Sequence, residues 1–190
     1  MSKGQFVFGG VVVLGFLSRV LPHPHNFTPV IAMALVAGAF ATRRYAAVLL
    51  PLLAMLLSDV VLYNTVYASY AEGFLGLGSV LGNGFSYAAL ALLALLPGVL
   101  PVRLRTRWST LAIMGFGGAL LFYSVSNVGV WVTGVTYPKT LPGLAACLAA
   151  GLPFLPATVA STLLYGAIAA ATLKGFGVRP TTARADIRLA

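Results

Sequence analysis

Few side chains in this chain could do chemistry, and Asp59 is the most conspicuous of them. It stands beside Ser58 inside the apolar run YAAVLLPLLAMLLSDVVLY. An ionisable group inside an apolar span costs at least about 2.5–3.5 kcal/mol, so it normally faces a cavity or an opposite charge. Asp59 follows Arg44 by fifteen residues, about 22 Å along a helix. That depth matches Arg19 at the end of the first apolar run. The expectation is an Arg19–Asp59 ion pair or a cap onto neighbouring hydroxyls. Contact of Asp59 with a substrate amine or hydroxyl is the alternative.

His23 and His25 are the only histidines, in the segment PHPHNFTP, and Cys147 is the only cysteine. Imidazole and thiolate are metal-ligand types. Pro24 fixes the backbone between the histidines without converging their rings, so both read as solvated turn residues. Cys147 reads as a small buried hydrophobe, and no metal is assigned. The segment Tyr123 to Pro156 carries Asn127, Trp131, Tyr137, Lys139 and Thr140 among apolar residues. With Asn26 from the histidine turn, these are the candidate substrate-binding residues. Trp131 and Tyr137 would stack a planar ligand or form an interfacial aromatic belt, and Asn127 would donate and accept hydrogen bonds. Paired carboxylates, HExxH, GxSxG and Walker patterns are all missing. Gly76, Gly78 and Gly82 have the spacing GxGxxxG, but a dinucleotide loop needs a preceding strand. An enzyme is not expected, and no cofactor is implied.

Composition dictates the elements that must position these groups. The chain is 59% hydrophobic and 8% charged, with mean hydropathy +0.96. Soluble domains carry about 25% charged residues, so the class is an all-α integral membrane protein. Its apolar runs lack the alternation of a transmembrane barrel. Six spans are predicted, over about 5–21, 29–41, 45–67, 79–100, 108–127 and 157–173. In the second, Asn26 or Thr28 is the expected N-cap, and Pro29 suits the first turn. A short re-entrant or surface helix over about 142–150 lies between helices five and six, since its length of about 14 Å is too small to cross a bilayer. Residues 1–175 form one domain, and 176–190 form a mobile basic cytoplasmic tail.

The net charge of +9 invites a nucleic-acid reading, but the basic residues flank the apolar runs and form no stripe. With six spans and the N-terminus inside, ten of the twelve basic residues fall on the inner side. Arg19 and Lys139 are the two outside. The positive-inside rule then puts both termini in the cytoplasm. Helix two carries small-xxx-small pairs, Ala34 to Gly38 and Ala37 to Ala41, which permit close helix approach. Its small face either packs within the chain or receives a partner helix.

RVLPHPHNFTPVIAMAL (Arg19 to Leu35), the Ser58-Asp59 pair and SNVGVW…YPKTLPGLAAC…LPF (Ser126 to Phe154) resemble a family of small bacterial membrane proteins. That family has the pattern RxLPHPxNFTPxxAxAL, then NFGVW, YPKT, GLxxCY and PF. Its members look like the substrate-binding S components of energy-coupling-factor vitamin transporters. The resemblance implies six helices, an outward-open pocket and a bacterial cytoplasmic-membrane location. It also implies interest in Arg19, His23, Asn26, Phe27, Pro29, Asp59, Asn127, Trp131, Tyr137, Lys139 and Thr140. The start MSKG lacks the metal-binding histidine of nickel and cobalt S components, which favours an organic ligand. The functional expectation is capture of a small vitamin-like molecule for uptake. A coupling transmembrane subunit and ATPases would act through the small face of helix two. The alternative is a structural or assembly protein whose outer segment docks a protein partner.

Overall fold

The structure is a computed structural model describing residues 3–41, 43–73, 77–105 and 107–178. It is all helical, at 81% helix, with no strand among the described residues. The helices are α1 (Lys3–Val20), α2 (Val30–Phe40), α3 (Arg44–Asn64), α4 (Leu77–Gly82) and α5 (Gly84–Leu95). They continue with α6 (Val102–Arg105), α7 (Trp108–Thr133), α8 (Leu141–Gly151) and α9 (Leu155–Gly175). Among the described residues, three stretches are long and apolar enough to cross a membrane: α3, α7 and the 35-residue run Leu141–Gly175. The tail expected from 176 falls largely outside the described residues, as does Gly76.

α2 is the axis of the molecule. Its sequence VIAMALVAGAF has no polar side chain, and ten of its eleven residues are buried. A helix apolar all round belongs in a core. α2 packs against α1, α3, α5, α7 and α9, and its small residues set how closely they approach. Ala34 is completely buried. A Cβ on Gly38 would stand 2.2 Å from Ala94 O and 2.9 Å from Pro97 Cδ. The small face of helix two therefore lies inside the bundle, not on a docking surface, which corrects the partner contact expected there. The expected N-cap is corrected as well: Pro29 occupies that position, and no side chain caps the helix.

Large apolar side chains cover the outside. Leu49, Leu53 and Leu57 form an exposed stripe on α3, Ile113 and Phe116 lie exposed on α7, and Leu164 and Ile168 on α9. Buried positions include Ser58, Asp59, Ser86, Ser161 and Thr162. Apolar surface on this scale is far beyond that of a soluble monomer and is compatible with a membrane protein.

The helix boundaries differ from the sequence expectation at three places. Helix four is divided at Asn83 into α4 and α5, and a 3-10 turn, Leu96–Val99, completes it. α7 runs past Asn127 to Thr133 because its polar residues bond back within the helix. Asn127 Nδ2 donates to Tyr123 O at 2.8 Å and Thr133 Oγ1 to Gly129 O at 2.9 Å, which removes the cost of carrying them. The short helix between five and six continues without a loop through the 3-10 turn Leu152–Phe154 into α9.

Replacing Gly38 by Ala should lower the thermal midpoint in detergent, with an overpacking cost of about 1–3 kcal/mol. Gly117→Ala, where a Cβ meets nothing within 4 Å, should not. Equal midpoints for the two variants would contradict the packing role of α2.

Candidate functional site

The polar signals converge at one end of the bundle, where α1 and α7 end and α2, α5 and α9 begin. Arg19 Nη2 donates to Asp59 Oδ1 at 2.6 Å, and Arg19 Nη1 donates to Ser58 Oγ at 2.7 Å. Tyr87 Oη donates to the other carboxylate oxygen, Asp59 Oδ2, at 2.8 Å. The group thus ties α1, α3 and α5 together. Asp59 is 3% exposed, so its charge is stabilised by these donors and little by water. Tyr87 escaped the sequence reading, because a tyrosine on an apolar helix carries no signal of its partner.

The turn after α1 hangs beside this group. Phe27 N donates to Pro24 O at 3.0 Å, closing a β-turn with Asn26 in its third position. Asn26 has φ 59°, a conformation that asparagine tolerates better than other side-chain-bearing residues. The turn is pinned from outside by His25 against Phe154, ring centroids 6.4 Å apart. The His23 ring nitrogens lie 2.8 Å from Pro24 O in the same turn and 3.2 Å from Arg19 O in the last turn of α1. No three His, Cys, Asp or Glu side chains converge as a metal site among the described residues.

On the opposite side, α7 and α8 are clamped into one unit. Tyr123 Oη donates to Leu148 O, and Cys147 Sγ donates to Asn127 O at 3.3 Å. The connection between them is held by the YPKT residues. Lys139 Nζ donates to Trp131 O and Gly134 O, placing a cation on the unsatisfied carbonyls at the end of α7. Trp131 Nε1 donates to Pro138 O at 2.8 Å. Thr140 Oγ1 accepts from Gly143 N and so N-caps α8. A Cβ on Gly143 would lie 2.0 Å from Pro138 O, so glycine is required where the connection folds back on α8.

Between the two sides lies a cavity of about 430 Å³, within the ~300–1,000 Å³ range of small-molecule sites. Of the candidates, Asn26, Asn127 and Tyr137 line it, as do Arg19 and Cys147. Trp131, Lys139 and Thr140 do not: they brace the α7–α8 connection that carries the lining residues. Sequence reading missed Thr28, Asn83, Ser86 and Thr158 on the wall. The polar Asn83 between Gly82 and Gly84 was the one available signal. A Cβ on Gly151 would meet Asn127 Oδ1 at 2.6 Å, so Gly151 leaves room for that amide. Neither carboxylate among the described residues, Asp59 or Glu72, lines the cavity.

A family model matches residues 2–181. The chain belongs to a family of unknown function, DUF6580. Membership spans both sides of the cavity and makes no link to the S components of vitamin transporters. No curated protein and no solved structure matches the chain.

Asp59→Ala should be strongly destabilising, by about 3–5 kcal/mol, because it leaves the Arg19 charge without its counter-ion. Tyr87→Phe should cost about 1.5–3 kcal/mol, the range for a hydrogen bond to a charged group. The double variant Arg19→Met, Asp59→Leu should recover much of the loss. Thermal denaturation of the singles and the double checks this, and additive losses would contradict coupling.

Proposed function

We propose that this protein is a six-span membrane transport component of the S-component type. In this reading both termini are cytoplasmic, and a small vitamin-like molecule is captured from the outer side for uptake across the bacterial cytoplasmic membrane. The cavity is the observation that carries the reading. It is walled by side-chain amides and hydroxyls together with the rings of Phe122, Tyr123, Tyr137 and Phe154. Such a wall suits a compact organic molecule with a flat apolar part and several hydrogen-bonding groups. Arg19 is the one charged residue on the wall and is already neutralised by Asp59 at 2.6 Å, which favours an uncharged polar ligand.

Orientation supports the same reading. Arg43, Arg44, Arg103, Arg105, Arg107 and Lys174 cluster at the end of the bundle away from the cavity, by their places at the ends of α2, α6 and α9 and the starts of α3 and α7. The positive-inside rule assigns that end to the cytoplasm, which opens the cavity outward. Six crossings count α1, α2, α3, the α4–α5 pair, α7 and α9.

A second reading has one observation in its favour. Val135 and Leu141, at the tip of the α7–α8 connection, are 99% and 81% exposed, as they would be in a segment that docks another membrane protein.

Native mass spectrometry of gently purified protein discriminates the two. Capture is supported by a retained small molecule whose occupancy falls about five- to tenfold in Asn127→Ala, the loss of roughly one hydrogen bond. Gly151→Leu should empty the cavity. A folded, empty wild type that shows no thermal shift with a broad vitamin panel would overturn capture, and a stoichiometric protein partner would favour docking.

A further inference from the structure

A second cavity, of about 280 Å³, lies between α2, α7 and α9 in the basic half of the bundle. It shares no lining residue with the first. Ala32, Ala39, Gly115 and Gly166 make room for it. Its mouth is open at the bundle surface, because the lining residues Ala112 and Ala167 are exposed. Their neighbours Ile113 and Ile168 are 72% and 53% exposed, so the mouth sits in the apolar outer surface.

The wall offers an occupant almost nothing polar. Thr162 is the one hydroxyl on it, and its Oγ1 already donates to Thr158 O at 2.7 Å. Empty apolar space open to a hydrocarbon surface fits an alkyl chain. The rim is different in chemistry. Trp108 lines the cleft, and Lys174 Nζ lies 4.0 Å from the centre of its ring. Arg107 precedes Trp108 and is exposed. Tryptophan marks the level of the headgroups, and two cations at that level attract anionic lipid.

We propose that this cleft is a binding site for an anionic phospholipid, one acyl chain lying between α7 and α9 and the headgroup phosphate on Lys174 and Arg107. Charge complementarity selects the occupant: a partner helix would need only the small apolar wall, whereas the cationic rim calls for an anionic head on an apolar tail. The site stands apart from the substrate cavity and does not depend on what that cavity binds.

The test is native mass spectrometry of the full chain with added phosphatidylglycerol or phosphatidylcholine of matched acyl chains. The wild type should retain phosphatidylglycerol over phosphatidylcholine by roughly tenfold or more, the attraction of two cations. The double variant Arg107→Gln, Lys174→Gln should bring the two lipids to parity. Gly166→Leu should lose both lipids; a Cβ there meets only Ala32 Cβ, at 3.9 Å, so the larger side chain is directed into open space. Ala112→Phe, at the exposed mouth, gives the same readout should Gly166→Leu fail to fold. Parity in the wild type, or retention unchanged in the cleft-filling variants, overturns the site. So does a photocrosslinker at Ala167 that captures a second copy or another protein's helix in place of lipid.

Discussion

A charged carboxylate in an apolar bundle must be paired, and that constraint organises the end of the bundle where α1 and α7 finish. Asp59 meets Arg19 from α1 and Tyr87 from α5, so three helices are brought to one point. The attraction between buried charges offsets their desolvation only at short range and with good geometry. The end of α1 therefore stays against α3, and the turn that follows α1 is carried over the space between α3 and α7. Arg19 also donates to Met55 O at 3.3 Å. Both residues line the larger cavity, so the cationic partner of the ion pair forms part of its wall and Asp59 holds it from behind.

The opposite wall obeys a different constraint, the supply of partners for helix-terminal backbone groups. α7 ends and α8 begins within a few residues, leaving carbonyls at one terminus and N–H groups at the other. Lys139 meets the first set and Thr140 the second. The outcome is a braced hairpin in place of a mobile loop. It holds Asn127, Tyr137 and Cys147 toward the same space, as positioning a ligand requires.

The all-helical class and the partnership of Arg19 with Asp59 were legible in the sequence, because apolar runs and an isolated buried charge have few physical solutions. The cavity was half legible. Asn127 and Tyr137 were found as polar residues in an apolar segment and Asn26 in the histidine turn, whereas Ser86 and Thr158 fell silent among ordinary helix residues and Thr28 read only as a helix cap. Trp131 and Lys139 gave the loudest signals in their segment and turned out to serve the backbone, since a helix terminus needs donors and cations as much as a ligand does. The break at Asn83 and the extension of α7 to Thr133 depend on tertiary contact and on side chains bonding to their own helix. Periodicity registers neither.

The most direct test of the proposed outward opening of the cavity is solvent access from one side of the membrane. In a Cys147→Ala background, Thr28→Cys places a single thiol on the cavity wall. Intact cells would be treated with a membrane-impermeant maleimide before and after permeabilisation. Labelling in intact cells is the expected result, for it requires a cavity that is both water-filled and open to the outside. Labelling only after permeabilisation, with the protein folded, would contradict the orientation and with it the capture of a molecule from outside.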